Sequence, residues 1–266
     1  MMPLAARGAA LLGRRLVRAE PMSGGDLSSL VRIVLDDGSA AIVKDGLDPP
    51  AEAGMLRAIR AAGIPAPEVF AADLRTLVIE PLPAGGGNAD ADLGHVLARL
   101  HAVTGDDYGW NRDYAFATVR IDNHASEDWP GFWAERRLLC HAPYLDTALR
   151  RRIEALAAIL PERLPARPRP ALLHGDLWSG NILTDGGRVS GLIDPACYHG
   201  HAEVDLAMLS LFGAPGPAFR EAYGEAEPGM AERRAIYRLW PALVHLRLFG
   251  SGYRSMVEAL LDATGC

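Results

Sequence analysis

Asp176 and Asn181 lie five residues apart in the stretch His174-Gly175-Asp176-Leu177-Trp178-Ser179-Gly180-Asn181, with Ser179 and Gly180 turning the chain between them. Thirteen residues further on, a second carboxylate, Asp194, closes the apolar run Val189 to Ile193. These residue types suit one kind of chemistry. A hydroxyl that is to attack needs an acceptor for its proton, and a carboxylate can be that base. A divalent cation carried on phosphates needs hard oxygen ligands, which a carboxamide and a carboxylate supply. Asp176 fits the first task, and Asn181 with Asp194 fits the second. The spacing is that of a phosphoryl-transfer loop followed by a metal-binding Asp.

The other half of such a site must hold phosphates. Of 27 basic residues only Lys44 is a lysine. The bias toward arginine reflects genome composition more than physics, yet at this one position the chain carries a compact point charge where elsewhere it carries a broad fork. Lys44 follows two expected strands, 31–35 and 40–43, around the turn Asp36-Asp37-Gly38. Before them, Ser23-Gly24-Gly25-Asp26-Leu27-Ser28-Ser29 is a small-residue turn in the place of a phosphate-covering loop, although such a turn equally suits an ordinary hairpin. Asp48-Pro49-Pro50 opens a helix expected over 51–62. Glu52 shares its apolar face with Met55, Leu56 and Ile59, while Arg57 and Arg60 lie on the other side. An inward carboxylate needs a cation, and Lys44 is the natural one. The competing reading is a simple helix N-terminal acid.

Residues 76–80 read as a buried strand running into Pro81-Leu82-Pro83-Ala84-Gly85-Gly86-Gly87, a break expected to be a hinge between two lobes. By position alone, Glu80 and Leu82 become candidates for meeting an adenine edge. Beyond the break, Leu93, Val96, Leu97 and Leu100 form one helical stripe and Leu149, Ile153, Leu156 and Leu160 another. Residues 161–170, with four prolines, read as a loop that delivers the short strand 171–173. Residues 182–184 and 189–193 form an expected hairpin that holds Asn181 and Asp194 together. From 203 onward the periodicity is helical. The sum is an α+β, two-lobed organisation, with residues 1–82 as the nucleotide-binding lobe and 83–266 as the lobe of the catalytic loop and substrate.

Bulk properties narrow the partners. A chain of 266 residues with 49% hydrophobic and 23% charged residues is of globular type. Its net charge of -6, with no basic stripe, argues against nucleic acid. Cys140, Cys197 and Cys266 are far apart and form no metal pattern, so a reducing, cytoplasmic compartment is expected. The Arg-bearing N-terminus, acid-free before Glu20, reads as a first helix or arm packed on the domain in preference to a targeting peptide. No run reaches transmembrane length. Trp129 and Trp133, four apart, read as core anchors.

Taken together, these residues resemble the protein-kinase-like small-molecule kinases and, within them, the fructosamine-3-kinase (ketosamine kinase) family. The resemblance is carried by Trp178-Ser179-Gly180-Asn181 and by the block from Asp194-Pro195-Ala196-Cys197-Tyr198-His199-Gly200-His201 through Glu203-Val204-Asp205-Leu206-Ala207-Met208 to Leu211-Phe212-Gly213. Lys44, Glu52 and Leu100-His101 extend it over most of the chain. It implies a protein-kinase-like fold with ATP and Mg²⁺, the acceptor being O3 of a fructosamine or ribulosamine, and hence deglycation repair. Asp176 would take the hydroxyl proton and Asn181 and Asp194 would bind Mg²⁺. Lys44, paired with Glu52, would hold phosphates covered by Ser23, Gly24, Gly25 and Ser28. His174 and Asp205 would support the catalytic loop. Trp178, Tyr198 and Glu203 are candidates for touching the substrate. The partner would be a small ketoamine or a glycated lysine, with no nucleic acid and no membrane. A monomer is expected, with a dimer left open. Some family members carry a cysteine in the phosphate loop; this chain has none there. An aminoglycoside or amino alcohol is the alternative acceptor, and a non-catalytic nucleotide-binding protein the alternative class.

Overall fold

The computed structural model describes residues 2–22 and 28–266. The N-terminal part is built as α1 (Leu4–Leu11), β1 (Leu16–Met22), β2 (Leu30–Leu35), β3 (Ala40–Asp45), α2 (Pro49–Ala61), β4 (Val69–Ala72) and β5 (Thr76–Ile79). The five strands form one antiparallel sheet in the order β1-β2-β3-β5-β4. Strand alternation assigns its faces. Val31, Ile33, Leu35, Ala41, Val43 and Val78 pack with Ala5 and Ala9 of α1. A Cβ on Gly8 would strike the Val43 side chain, so glycine is what lets α1 lie this close. The opposite face, with Leu77 and Ile79, meets Met55, Leu56 and Ile59 of α2. Lys44 is one residue from Val43 in β3 and therefore points to the α2 side, where Glu52 is.

Asp48 caps α2, its carboxylate accepting from the Ala51 N–H at 3.1 Å, and Pro49 and Pro50 occupy the first turn, where a missing N–H costs nothing. The helix therefore starts two residues earlier than expected. Its far side joins a central core with Leu97, Leu172, Leu177, Leu192 and Cys197, so α2 is shared between the sheet and the rest of the protein.

The remaining elements are α3 (Asp90–Ala102), the hairpin β6 (Tyr114–Phe116) and β7 (Val119–Ile121), α4 (Trp129–Trp133), α5 (Thr147–Arg163), β8 (Ala171–Leu173), β9 (Ile182–Asp185), β10 (Arg188–Leu192), β11 (Tyr198–Gly200), α6 (Glu203–Leu209), α7 (Pro217–Tyr223), α8 (Met230–Phe249) and α9 (Arg254–Thr264). The segment 161–170 is loop only after Leu164. Pro161 sits near the end of α5, whose Leu156 and Leu160 are fixed in the core strongly enough to tolerate it. Trp129 and Trp133 are fully buried in the large C-terminal core with Phe132, Tyr198, Tyr237 and Trp240. Within that core the buried Arg137 guanidinium has no carboxylate at hand among the described residues. It donates to Asn123 Oδ1 and the Asp122 carbonyl at 2.7 Å each and lies over the rings of Phe132, Tyr198 and Trp240. Among the described residues no helix is long and apolar enough to cross a membrane.

Candidate active site

The strand β8 enters the catalytic loop directly, and the loop is held by a buried pillar. Asp205, fully buried on α6, accepts from the His174 N–H at 2.7 Å and the Gly175 N–H at 2.9 Å. His101, at the end of α3, approaches the same carboxylate through Nε2 at 3.1 Å, and its Nδ1 faces the Tyr223 hydroxyl at 2.8 Å. Burial alone would push the Asp205 carboxyl up. The bonds and charges from His101, His174 and Gly175 reverse this and hold it below the usual carboxylate range. Gly175 has φ +80, and a Cβ there would run into the Ala196 carbonyl oxygen, so the turn requires glycine. His174 is buried and donates from Nε2 to the Ile193 carbonyl at 3.0 Å, next to Asp194; burial keeps the ring neutral. His174 and Asp205 are the two residues expected from the sequence to support the loop, and these are the bonds they make.

Asp176 projects from the loop into a cleft of about 630 Å³. Asn181, in the tight turn Ser179–Asn181, donates from Nδ2 to both the Asp176 carbonyl, at 2.8 Å, and its Oδ2, at 3.0 Å. Burial pushes the Asp176 carboxyl up to about 7; the Asn181 bond and the Lys44 charge oppose it, and the nearby Asp194 and Asp205 add to it. The antiparallel pairing of β9 and β10 brings the chain from Asn181 back to Asp194, which stands at φ +54.

Lys44 Nζ lies 2.9 Å from Glu52 Oε1 and 2.8 Å from Asp194 Oδ1. Burial favours a neutral amine, but the two carboxylates outweigh it and raise the Lys44 pKa. The alternative reading of Glu52 as only a helix-end acid is set aside by this contact, and Lys44 also spans to the second carboxylate, which the sequence did not foretell. The oxygens of Asn181 and Asp194 form a hard donor set suited to a divalent cation: the Asn181 amide nitrogen is taken up by Asp176, which leaves Oδ1 as the atom able to act as a ligand.

Other expectations fare differently. Ser28 lines the cleft, while Ser23, Gly24 and Gly25 lie outside the described residues. Trp178 lines it too, 38% exposed and edge-on to Phe212. Glu80 and Leu82 do not line this cleft. Glu80 accepts from the Glu68 N–H at 3.1 Å and neighbours Arg60, and Leu82 packs where β10 carries Gly191. Two substrate candidates are corrected. Tyr198 is fully buried under Arg137, its hydroxyl pushed up to about 12 by burial, because β11 turns it into the aromatic core. Glu203 is buried and ion-paired with Arg233 Nε at 2.8 Å, closing one end of α6. Their places on the walls fall to residues the motifs did not flag: Tyr114 and Phe116 of β6, and Trp240, Val244, Leu248 and Phe249 of α8. The one available signal was that apolar residues on α8 recur at positions 240, 244 and 248, with Pro241 and Phe249 beside them, giving the helix a second face beyond the one the core needs. Tyr114 lies among Glu52, Asp194, Asp176 and Asp48, and burial together with their charges keeps its hydroxyl protonated.

A lysine–glutamate pair between a five-stranded sheet and its helix, set over a helical lobe with Asp176, Asn181 and Asp194 in one cleft, defines a phosphotransferase of the protein-kinase-like class. Its fold is shared with a Thermobifida fusca protein assigned as a fructosamine-3-kinase, with a TM-score of 0.89 and 32% identity over 98% of both chains. The chain belongs to the fructosamine kinase family, whose model matches residues 49–264. It is 39% identical over 203 residues to a Synechocystis protein described as a ketoamine kinase, covering 70% of this chain and 66% of that one. It is 36% identical over 200 residues to the chloroplastic protein-ribulosamine 3-kinase of Arabidopsis thaliana, covering 70% of this chain and 60% of the relative.

Proposed function

We propose that this protein is an ATP-dependent kinase that phosphorylates O3 of the sugar in a ketoamine, a fructosamine or ribulosamine, in the service of deglycation. The observation that carries the reading is the single cleft shared by Asp176, Asn181, Asp194, Lys44 and Glu52. The nucleotide belongs to residues 1–82 and the acceptor to 83–266. As the acceptor oxygen bonds to the γ-phosphorus and the bond from that phosphorus to the β–γ bridging oxygen breaks, Asp176 takes the hydroxyl proton. A base whose pKa is about 7 has the right affinity for this at neutral pH. Asn181 orients that base, and Lys44 offers its charge to phosphate oxygens. Asn181 Oδ1 and Asp194 would hold Mg²⁺, which supplies charge neutralisation on the phosphates when bound. Phosphorylation at O3 makes the adduct prone to elimination, which frees the amine.

The same positions argue against a non-catalytic protein, since base, metal ligands and lysine are all filled. An aminoglycoside, a polycation, calls for an acidic acceptor wall. Beyond the catalytic end, the described wall here is aromatic and aliphatic. A cytoplasmic setting is supported by Cys140, Cys197 and Cys266, each unpaired among the described residues. The test is an ADP-release screen with fructosamine, ribulosamine and aminoglycoside acceptors. Turnover is expected with the ketoamines, and its absence with both of them would sink the proposal.

A further inference from the structure

In a ketosamine the nitrogen is separated from O3 only by C1, C2 and C3. With O3 at Asp176 and the phosphates on the Lys44 side, the group carried by that nitrogen must run along the other wall of the cleft. That wall is Val204 and Met208 of α6 with Trp240, Val244 and Leu248 of α8. It opens at a rim where Phe212 and Phe249 are 46% and 43% exposed, beside Trp178.

What the wall lacks is a cation. Of the chain's 27 basic residues, Lys44 alone lines the cleft among the described residues, and it is engaged by Glu52 and Asp194. The stretch 23–27 contains no Lys, Arg or His. The ionisable nitrogens on the far wall reduce to those of His245. Its Nδ1 lies 2.7 Å from the Pro241 carbonyl, so it donates there, and burial lowers its pKa and keeps the ring neutral. A carboxylate brought here would lose water and meet no positive charge from the protein, only that of its own neighbouring nitrogen. An uncharged apolar group would exchange water for aromatic and aliphatic surface, and the ketosamine nitrogen, cationic when protonated, would meet carboxylates and aromatic faces.

We propose that the preferred acceptor is a ketosamine whose nitrogen carries an uncharged, ring-bearing apolar group, and that adducts of free amino acids, with a carboxylate beside the nitrogen, are rejected. This rests on the kinase reading above. The ring is favoured over a straight stem because Trp240 on the wall and Phe212, Phe249 and Trp178 at its rim offer aromatic faces to it.

The test compares ribulosyl adducts of 2-phenylethylamine, phenylalanine, methylamine and Nα-acetyl-lysine amide. The first two differ by one carboxylate. The phenylethylamine adduct is expected to exceed the phenylalanine adduct by at least about 10²-fold in kcat/KM, and the methylamine adduct by about 10-fold, the scales of an unpaired buried charge and of a filled apolar pocket. Equal values for phenylethylamine and phenylalanine would overturn the proposal. So would a higher value for the acetyl-lysine adduct, which would make a protein-bound lysine the occupant. Leu248→Arg supplies the missing cation and should narrow or invert the phenylethylamine-to-phenylalanine ratio. Because a ratio is read within one variant, a general loss of activity does not obscure it, and Leu248→Lys serves if the first variant does not fold. An unchanged ratio in the folded variant counts against the proposal. If no ketosamine at all were phosphorylated, it is the kinase reading that would fall.

Discussion

Asp176 is held in conflict with its own charge. Its carboxyl ordinarily ionises near 3.8 and here does so near 7, with burial the main cause. Between these values the native state keeps a proton that the unfolded state releases, so this residue makes the protein less stable as pH rises from about 4 to 7. The same shift gives Asp176 the proton affinity that its proposed role as base calls for. Two outcomes of Asp176→Asn follow from one cause. Turnover should fall at least about 10²-fold, the scale of a positioned base. The free protein's melting temperature at pH 8 should rise by on the order of 5 °C, with little change at pH 4, as read by scanning fluorimetry. Near-wild-type turnover would remove Asp176 from its role, and an equal gain at both pH values would remove the buried-charge explanation. In the wild-type enzyme kcat/KM should decline below about pH 7 as Asp176 takes up its proton.

At the scale of elements, the loop stands on α6. Asp205 satisfies two buried N–H groups of the loop and meets His101 from α3. Asp205→Ala would leave these donors without a partner, at a cost of about 3 kcal/mol or more. The expected result is a lowered melting temperature and a kcat reduced more than the KM for ATP, because the loop and not the phosphate site is disturbed. A KM effect with kcat intact would contradict the pillar. Much of this was legible in the sequence. The β2–β3 turn, the inward face of Glu52, the 182–193 hairpin and the stripes of α3 and α5 all follow from local periodicity and turn chemistry. The misses share a cause. Tyr198 and Glu203 sit in a motif-rich segment, but whether a side chain faces a cleft or a core depends on β11 pairing with β8, a contact between residues far apart in sequence. The β6–β7 hairpin, three residues a strand, is too short for any pattern to announce it. The acceptor wall escaped notice because apolar residues on α8 look alike whether they line a core or a cavity.

The whole molecule is three cores in series. α1 and one face of the sheet make the first, α2 with the other face and the middle of the protein the second, and the aromatic cluster around Trp129 the third. Lys44 ties them at the cleft, reaching from β3 to Glu52 on α2 and to Asp194 beyond β10. A guanidinium is too broad for a position shared by two carboxylates at 2.8 and 2.9 Å and by incoming phosphates. Lys44→Arg should therefore cut kcat/KM at least about 10-fold despite keeping the charge. It should also reduce the thermal stabilisation by MgATP, which for wild type at a hundredfold excess over Kd is about 2.7 kcal/mol. Full activity in that variant would make the lone lysine an accident of composition.

α8 presents one face to the aromatic core, through Ile236, Leu239 and Leu243, and another to the cleft, through Val244, Leu248 and Phe249. None of the residues assigned to proton transfer, metal binding or phosphate binding lies on it. Much of the proposed acceptor wall is thus written on a helix that carries none of the proposed chemistry, the rest coming from α6 and from Trp178 in the loop itself. A new acceptor could therefore be reached by a few substitutions on the cleft face of α8, with the residues proposed for the reaction left in place.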